Sequence, residues 1–181
     1  MPLGPLELAD NVGLDVISHV SKFLSDADLG VRMSGGDVTL MEKMIEKGWL
    51  GKKAGKGFYT YGGKKRTISA DTKAFIENFR SKDLNLKEDE IENRLMSRFI
   101  NEAAKCLEDE IIADPIVGDM GMVFGTGFAP FRGGPFRYLD TFGIKKYVGM
   151  MNDLSDKYGP QFEPCQILKD YAVSEKKFHK V

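Results

Sequence analysis

Apolar residues recur at three- and four-residue spacing along most of the chain, and this periodicity predicts amphipathic helices. One pattern covers residues 4–24, and a longer one covers about 88–112, with an apolar residue at every fourth position from Ile91 to Ile111. Shorter helices are predicted over 37–46, 69–79, 115–124, 135–139 and 144–158. Because strands and helices do not alternate, the predicted fold class is all-α.

Proline, aspartate and glycine residues mark the expected helix ends. Pro5 and Pro115 suit the first position of a helix, where the missing N–H costs nothing. Asp10 or Asn11, Asp37 and Asp114 are expected to cap the helices that follow them, and Asp15 and Asp140 are likewise interpreted as caps. The segment 49–61 is rich in glycine and ends in aromatic residues, which predicts a turn followed by a short extended piece.

An internal repeat is the most informative pattern. Residues 4–14 align without gaps with residues 134–144, and a Gly-Pro pair, an Asp and a second Gly coincide. Apolar residues also coincide, at Leu6 and Phe136 among others. Two unrelated helix hairpins could share these four residues, but the matching apolar positions favour duplication. We therefore expect a partial first domain over 1–62, a linker and connecting helix over 63–87, and a complete second domain over 88–181, with the chain beginning inside the first copy.

Composition excludes several classes of partner. The chain has 26 Lys and Arg residues against 27 Asp and Glu residues, a formal net charge of −1, so nucleic acid is not an expected partner. Cys106 and Cys165 lie far apart without a CxxC motif, which indicates neither a disulfide framework nor a metal site. No apolar run is long enough for a membrane span, and no targeting segment is recognisable at the N-terminus.

Candidate chemistry is sparse. The segment 51–57 lacks the P-loop order of residues, so a basic turn is favoured over an anion-binding loop. The stretch 125–130 begins like a dinucleotide-binding fingerprint but has Pro130 where the third glycine belongs. His19 and His179 have no carboxylate partner recognisable from the sequence and are expected to be structural or solvated. The loop 124–134 is a candidate pocket wall or, equally, a buried corner between helices.

Two parts of the chain resemble the helical C-terminal domain of the L-3-hydroxyacyl-CoA dehydrogenases. The first is the corner that begins Gly4-Pro5, together with the segment 51–61, which ends Gly-Phe-Tyr-Thr-Tyr. The second is 124–143, which looks like the second copy of this domain in multifunctional fatty-acid oxidation enzymes. Residues 164–168 and 176–178 are similar to the mitochondrial trifunctional enzymes. The resemblance covers essentially the whole chain.

The resemblance implies a longer parent protein with an enoyl-CoA hydratase region, an NAD-binding Rossmann domain and two helical domains. Its expected reactions are hydration of a 2-enoyl-CoA and NAD-dependent oxidation of the 3-hydroxyacyl-CoA product. The family's catalytic residues would lie upstream of this chain, so no catalytic residue is assigned here. Asn93-Arg94 is interpreted as a structural relic. The chain alone is expected to be inactive. The expected partners are an acyl-CoA substrate, a thiolase-type β-subunit and a second copy of the chain, and the expected location is mitochondrial.

The same resemblance implies that the glycine-rich stretch borders the acyl-CoA site. Matched residue by residue, it assigns substrate contact to Phe124, Gly127, Phe128 and Pro130. Phe124 replaces a tyrosine seen in bacterial relatives, so its contact would be apolar. The alternative function is a stand-alone helical dimerisation or partner-binding module. The repeat favours the dehydrogenase interpretation, because it is a duplicated fold element and not an exposed apolar stripe.

Overall fold

The computed structural model describes residues 3–27, 29–31, 37–63, 67–79 and 86–179. Within these residues the chain is helical, with isolated β-bridges only, so the predicted all-α fold class is confirmed. Contacts divide the chain into two compact units, Pro2–Asn85 and Leu86–Val181. No helix in the described ranges is both long enough and apolar enough to cross a lipid bilayer.

The first unit contains four helices: α1 (Pro5–Val12), α2 (Leu14–Asp26), α3 (Thr39–Glu46) and α4 (Ala70–Glu77). Its core is small and consists of Ala9, Leu14, Met44 and Phe58. A 3-10 turn over Lys52–Ala54 and the β-bridges Gly51 to Lys56 and Lys56 to Thr60 follow α3. They form the turn and short extended piece that the glycine pattern predicts.

Helix α4 belongs to the first unit by its packing. The rings of Trp49 and Phe75 meet edge to face with centroids 5.3 Å apart, and Thr67 forms a β-bridge with Thr60. Residues 64–66 and 80–85, which fall in the predicted linker and connecting helix, lie outside the described residues. The domain bounds 1–62, 63–87 and 88–181 stay a prediction, while the packing places α4 with the helices before it.

The second unit contains five helices: α5 (Glu88–Glu108), α6 (Pro115–Thr126), α7 (Pro135–Phe142), α8 (Ile144–Tyr158) and α9 (Gln166–Ser174). Its core is larger and joins α5, α7, α8 and α9 through Ile100, Ala104, Phe136, Leu139, Tyr147, Met151 and Leu168. The buried amide of Asn101 fixes the approach to α9, because it donates to the Glu163 carbonyl at 3.0 Å and accepts from the Cys165 N–H at 2.9 Å.

The buried face of α5 differs from the predicted four-residue stripe. Ile91 and Leu95 are exposed, and Ile111 lies beyond the end of the helix. A four-residue step turns about 40° further around a helix each time, so a long stripe at that spacing leaves the core. The buried positions instead follow mixed three- and four-residue spacing and are Ser97, Ile100, Asn101, Ala103 and Ala104, of which only Ala103 belongs to the predicted stripe.

Two kinds of predicted helix end have different outcomes. Pro5, Pro115 and Pro135 each occupy the start of a helix, and the Asp114 carboxylate accepts from the Val117 N–H at 2.9 Å, as predicted. The predicted caps at Asp10 and Asp140 are wrong. Helices α2 and α8 begin after Gly13 and Gly143 without a side-chain cap, because the two carboxylates bind other parts of the chain. The N-cap residue of α3 is Val38. Asp37 lies one position before it, and its carboxylate accepts a hydrogen bond from the Thr39 N–H.

Candidate functional site

A buried carboxylate closes the first unit. Asp10 is fully buried, and its Oδ1 accepts a hydrogen bond from the Phe58 N–H at 2.9 Å. Its Oδ2 accepts from the Tyr59 N–H at 2.8 Å and from the Tyr61 hydroxyl at 3.0 Å. Three donors compensate the desolvation of the carboxylate and hold the segment that follows the glycine-rich turn against α1.

The second unit repeats this contact. Asp140, the counterpart of Asp10, accepts from the Phe178 N–H at 2.9 Å and from the His179 N–H at 2.8 Å. The pair Phe178-His179 is therefore the structural counterpart of Phe58-Tyr59. We name each arrangement an aspartate clasp. Alignment of the corners alone does not reveal it, because the partners lie 48 and 49 residues from Asp10 but 38 and 39 residues from Asp140.

A buried contact between a histidine and an aspartate follows directly from the second clasp. The His179 Nε2 lies 2.7 Å from the Asp119 Oδ2, and both side chains are only 7% exposed. The Asp119 carboxylate also accepts from the Phe136 N–H at 2.7 Å and the Arg137 N–H at 3.2 Å. Burial raises the pKa of Asp119 despite these hydrogen bonds. His179 thus has the carboxylate partner that the sequence did not reveal, whereas His19 is exposed.

A cavity of about 320 Å³ opens beside the Asp119–His179 contact. We name it the apolar cavity, because helix α6 contributes Ile116, Met120, Val123 and Phe124 to its wall. Pro130, Gly133 and Arg137 complete it, and Asp119 and His179 also line it. Phe124 is 81% exposed, so a large apolar ring stands at the cavity with little protein around it.

The four residues predicted to contact substrate are divided between the cavity and the core. Phe124 and Pro130 line the apolar cavity. Gly127 ends α6 in the left-handed conformation, at φ 69°, which turns the chain toward the core. Phe128 is buried and stacks on Phe99 with centroids 6.3 Å apart. The loop is thus both a pocket wall and a buried corner, the two alternatives of the sequence analysis.

A second cavity, of about 500 Å³, lies on the other side of the 3-10 turn Pro130–Arg132. We name it the cationic cavity; its lining residues are Phe131, Arg132, Tyr138, Thr141, Phe142 and Lys146. The Arg132 guanidinium lies 5.5 Å from the centroid of Phe131 and 5.4 Å from that of Tyr138. The Lys146 Nζ lies 4.7 Å from the centroid of Phe142. The sequence analysis did not single out this site, because its residues are scattered through a turn and two helices.

Two of the three lysines of the glycine-rich turn, Lys53 and Lys56, form ion pairs. Lys53 Nζ lies 2.6 Å from Asp15 Oδ1, and this partner lowers the pKa of Asp15. Lys56 pairs with Asp71, whose pKa is lowered to about 2 by the Lys56 ammonium and the Ser69 hydroxyl. These contacts agree with a basic turn and neutralise two of its three lysines. Asp15 is an ion-pair partner as well as a residue of the first turn of α2.

The part of the chain that the structure describes contains neither a metal-binding cluster nor, at Cys165, an activated thiol. No group of three or more His, Cys, Asp or Glu side chains there could hold a metal ion. Neither Cys106 nor Cys165 forms a disulfide among the described residues. Burial raises the pKa of the Cys165 thiol to about 11, so it stays protonated and weakly nucleophilic near neutral pH.

The structure defines an all-α protein whose two units share a Gly-Pro corner and an aspartate clasp. A model of the 3-hydroxyacyl-CoA dehydrogenase C-terminal domain family matches residues 1–61 and 91–180. The chain therefore belongs to the C-terminal domain family of the 3-hydroxyacyl-CoA dehydrogenases, an oxidoreductase family. This confirms the resemblance found in the sequence.

The similar curated proteins are alpha subunits of fatty acid oxidation complexes. The chain is 40% identical to that of Vibrio vulnificus over 98% of this chain and 24% of that protein. It is 38% identical to that of Shewanella halifaxensis over 98% of this chain and 25% of that protein. The chain thus spans about a quarter of the length of these relatives. The predicted mitochondrial location is wrong, because these relatives are bacterial proteins and bacteria have no mitochondria.

A solved structure shares the fold. It is the 3-hydroxybutyryl-CoA dehydrogenase of Escherichia coli K12, with a TM-score of 0.66 and 18% sequence identity. The match covers 96% of this chain and 52% of that one. At this identity the likeness concerns the fold alone.

Proposed function

We propose that the chain is the C-terminal helical region of a multifunctional fatty-acid oxidation enzyme, which combines 3-hydroxyacyl-CoA dehydrogenase and enoyl-CoA hydratase activities. In that enzyme it helps to form the acyl-CoA pocket and packs against other domains and subunits. One observation carries the proposal: Phe124 and Pro130, assigned to the substrate by the resemblance, line one apolar cavity.

The apolar cavity suits an acyl chain. Four apolar side chains of α6 and Pro130 form most of its wall, and contact with an acyl chain would remove both surfaces from water. Phe124 has no hydroxyl, so its contribution is apolar area and not a hydrogen bond. Gly127 and Phe128 act indirectly in this proposal, because the turn at Gly127 and the buried ring of Phe128 set the position of the cavity wall.

The chemical step and the cofactor belong to other parts of the proposed enzyme. NAD in a Rossmann domain would accept the hydride, but the described residues contain no βαβ unit that could hold a dinucleotide in that way. This chain would therefore shape and cover the substrate site and would be inactive alone. We propose as its partners the acyl-CoA substrate, a thiolase-type β-subunit and a second copy of the chain.

The acyl-CoA part of the proposal is tested by calorimetric titration of the chain with octanoyl-CoA and acetyl-CoA. Each buried methylene contributes about 0.8 kcal/mol, so two buried methylenes are enough for octanoyl-CoA to bind about tenfold more tightly. Phe124→Ser is expected to remove most of this preference, and Val173→Ser, at an equally exposed position of α9, is expected to keep it. Equal affinity for the two thioesters would contradict the proposal.

The inactivity of the chain alone is tested separately. Incubation of the chain with NAD and a 3-hydroxyacyl-CoA is expected to give no NADH absorbance. Measurable turnover would show that the chain carries catalytic groups, and that part of the proposal would be abandoned.

A second candidate function, dimerisation or partner binding, is favoured by an exposed apolar face on α1 and α2. Val16, Val20 and Phe23 are exposed and follow helical spacing along α2, and Val12 at the end of α1 is exposed as well. The second-unit counterparts of Val16 and Phe23 are the polar residues Lys146 and Asp153, whereas those of Val12 and Val20 are Phe142 and Met150. The helix corner therefore does not require apolar residues at positions 16 and 23. The expectation that the repeat lacks an exposed apolar stripe does not hold for the first copy.

This candidate predicts self-association of the chain. Sedimentation equilibrium is expected to show a dimer that Val20→Lys or Phe23→Lys dissociates, while Val173→Lys, at an exposed apolar position outside this face, does not. A chain that is monomeric at all concentrations would exclude the dimer, leaving only partner binding to be tested with a thiolase-type subunit.

A further inference from the structure

The cationic cavity combines two features that a charged aromatic ligand requires. Its first feature is an aromatic wall made by Phe131, Tyr138 and Phe142. The rings of Tyr138 and Phe142 are in contact, with centroids 5.6 Å apart, whereas Phe131 is 85% exposed, so most of its surface is accessible to a ligand. A flat aromatic ligand can therefore stack here without displacing core side chains.

Its second feature is a pair of cations held above the aromatic rings. Neither Arg132 nor Lys146 has a carboxylate within ion-pair distance among the residues that the structure describes. Burial raises the pKa of Tyr138, while Arg132 acts to lower it and Glu92 acts to raise it. The N–H donors of both cations thus remain available to an anion, and a guanidinium binds phosphate through two parallel hydrogen bonds.

The internal repeat shows that the fold does not require these residues. The first-unit counterparts of Tyr138, Phe142 and Lys146 are Leu8, Val12 and Val16. The same helix corner is thus built with aliphatic residues and no cation at these positions. The aromatic and cationic side chains of the second unit need a reason other than the stability of the corner.

We propose that the cationic cavity binds the phosphate-bearing adenine part of a nucleotide. The adenine ring would stack on Phe131, and the phosphates would accept hydrogen bonds from Arg132 and Lys146. The volume of about 500 Å³ lies within the usual range for small-molecule sites of about 300–1,000 Å³. The Thr141 hydroxyl donates to the Arg137 carbonyl at 2.9 Å and keeps an acceptor for a ligand N–H or O–H. This site is separate from the apolar cavity, and the inference stands without the proposed acyl-CoA function.

The test is calorimetric titration of the full chain with adenosine 3′,5′-bisphosphate, with circular dichroism to verify folding of each variant. Loss of one charge-assisted phosphate contact is expected to weaken binding about tenfold, so Arg132→Gln and Lys146→Gln should each show this loss. Lys145→Gln is the matched control, because the neighbouring Lys145 lines a different cavity, beside Asp140 and Tyr171. Phe131→Leu should weaken the binding of the nucleotide but not the binding of inorganic pyrophosphate.

Three results would overturn the inference. The first is that no binding is detected up to about 5 mM nucleotide. The second is that the Arg132 and Lys146 variants bind the nucleotide as tightly as the original chain. The third is that the original chain binds pyrophosphate as tightly as the nucleotide. Two sources share this chemistry, namely a free nucleotide and the nucleotide part of CoA. Tighter binding of CoA than of adenosine 3′,5′-bisphosphate would assign the site to CoA, and equal or weaker binding would assign it to free nucleotides; either supports the site.

Discussion

The aspartate clasp of the first unit makes a quantitative prediction about stability. Asp10→Asn retains the size of the side chain but replaces one carboxylate oxygen by an amide group that only donates. Oδ2 accepts from both the Tyr59 N–H and the Tyr61 hydroxyl, whereas Oδ1 accepts only from the Phe58 N–H. The better amide orientation therefore keeps its oxygen at the Oδ2 position and leaves the Phe58 N–H facing an NH₂ group.

The magnitude follows from the bonds lost. One hydrogen bond to a charged group contributes about 1.5–3 kcal/mol, and the buried Phe58 N–H then has no acceptor. We expect Asp10→Asn to lower the free energy of unfolding of the first unit by about 2–3 kcal/mol. Asp10→Ala removes all three acceptor contacts and is expected to cost roughly 4 kcal/mol or more. Such a loss is a large fraction of the stability of a small unit.

The assay is urea denaturation followed by the fluorescence of Trp49, the single tryptophan of the chain, which lies in the first unit. With a denaturant slope of about 1 kcal/mol per molar urea, Asp10→Asn should lower the midpoint by about 2 M. The control is Asp15→Asn, which breaks an exposed ion pair with Lys53 and should leave the midpoint unchanged. An unchanged midpoint in Asp10→Asn, or an equal shift in both variants, would refute the reasoning.

Three further predictions concern the second unit and are measured by urea denaturation followed by circular dichroism. Gly134→Ala should destabilise the second unit by roughly 2 kcal/mol, because φ at Gly134 is +108° and the new Cβ would lie 2.4 Å from Asp119 Oδ1. The control Gly149→Ala places its Cβ in open space and should be neutral or stabilising. Equal effects of the two substitutions would contradict this prediction. His179→Ala should cost about 3 kcal/mol by leaving Asp119 buried without its partner, and an unchanged midpoint would show that the pair is not stabilising. The folded chain retains the Cys165 proton up to about pH 11, whereas the ordinary thiol value is 9.0. The free energy of unfolding should therefore decrease as the pH rises from 9.0 to about 11, because the unfolded chain loses this proton first. Cys165→Ser should abolish this part of the pH dependence.

Much of the helical structure could be predicted from local pattern. The proline-started helices and the Asp114 cap depend on interactions within one turn, so neighbouring residues determine them. The buried face of α5 could not be predicted from a four-residue stripe, because the faces of a 21-residue helix are chosen by the helices that pack on it.

The candidate sites divide in the same way. Phe124 and Pro130 could be singled out because they lie six residues apart in one glycine-rich stretch, at the end of α6 and the start of the 3-10 turn that follows it. The cationic cavity and the partner of His179 could not, since Arg132 and Lys146 come from a turn and a helix, and His179 lies 60 residues from Asp119. Each of these residues is unremarkable in its own local sequence.

The sequence by itself determined the helical class, the repeated Gly-Pro corner and the family, because periodicity, turn chemistry and motifs are properties of neighbouring residues. Only the tertiary structure decided what Asp10 and Asp140 do. A carboxylate near a helix start is a cap by local rules, but here burial makes two backbone N–H groups far along the chain its partners. Long-range hydrogen bonds of this kind depend on which segments fold together, and that information is not contained in local spacing.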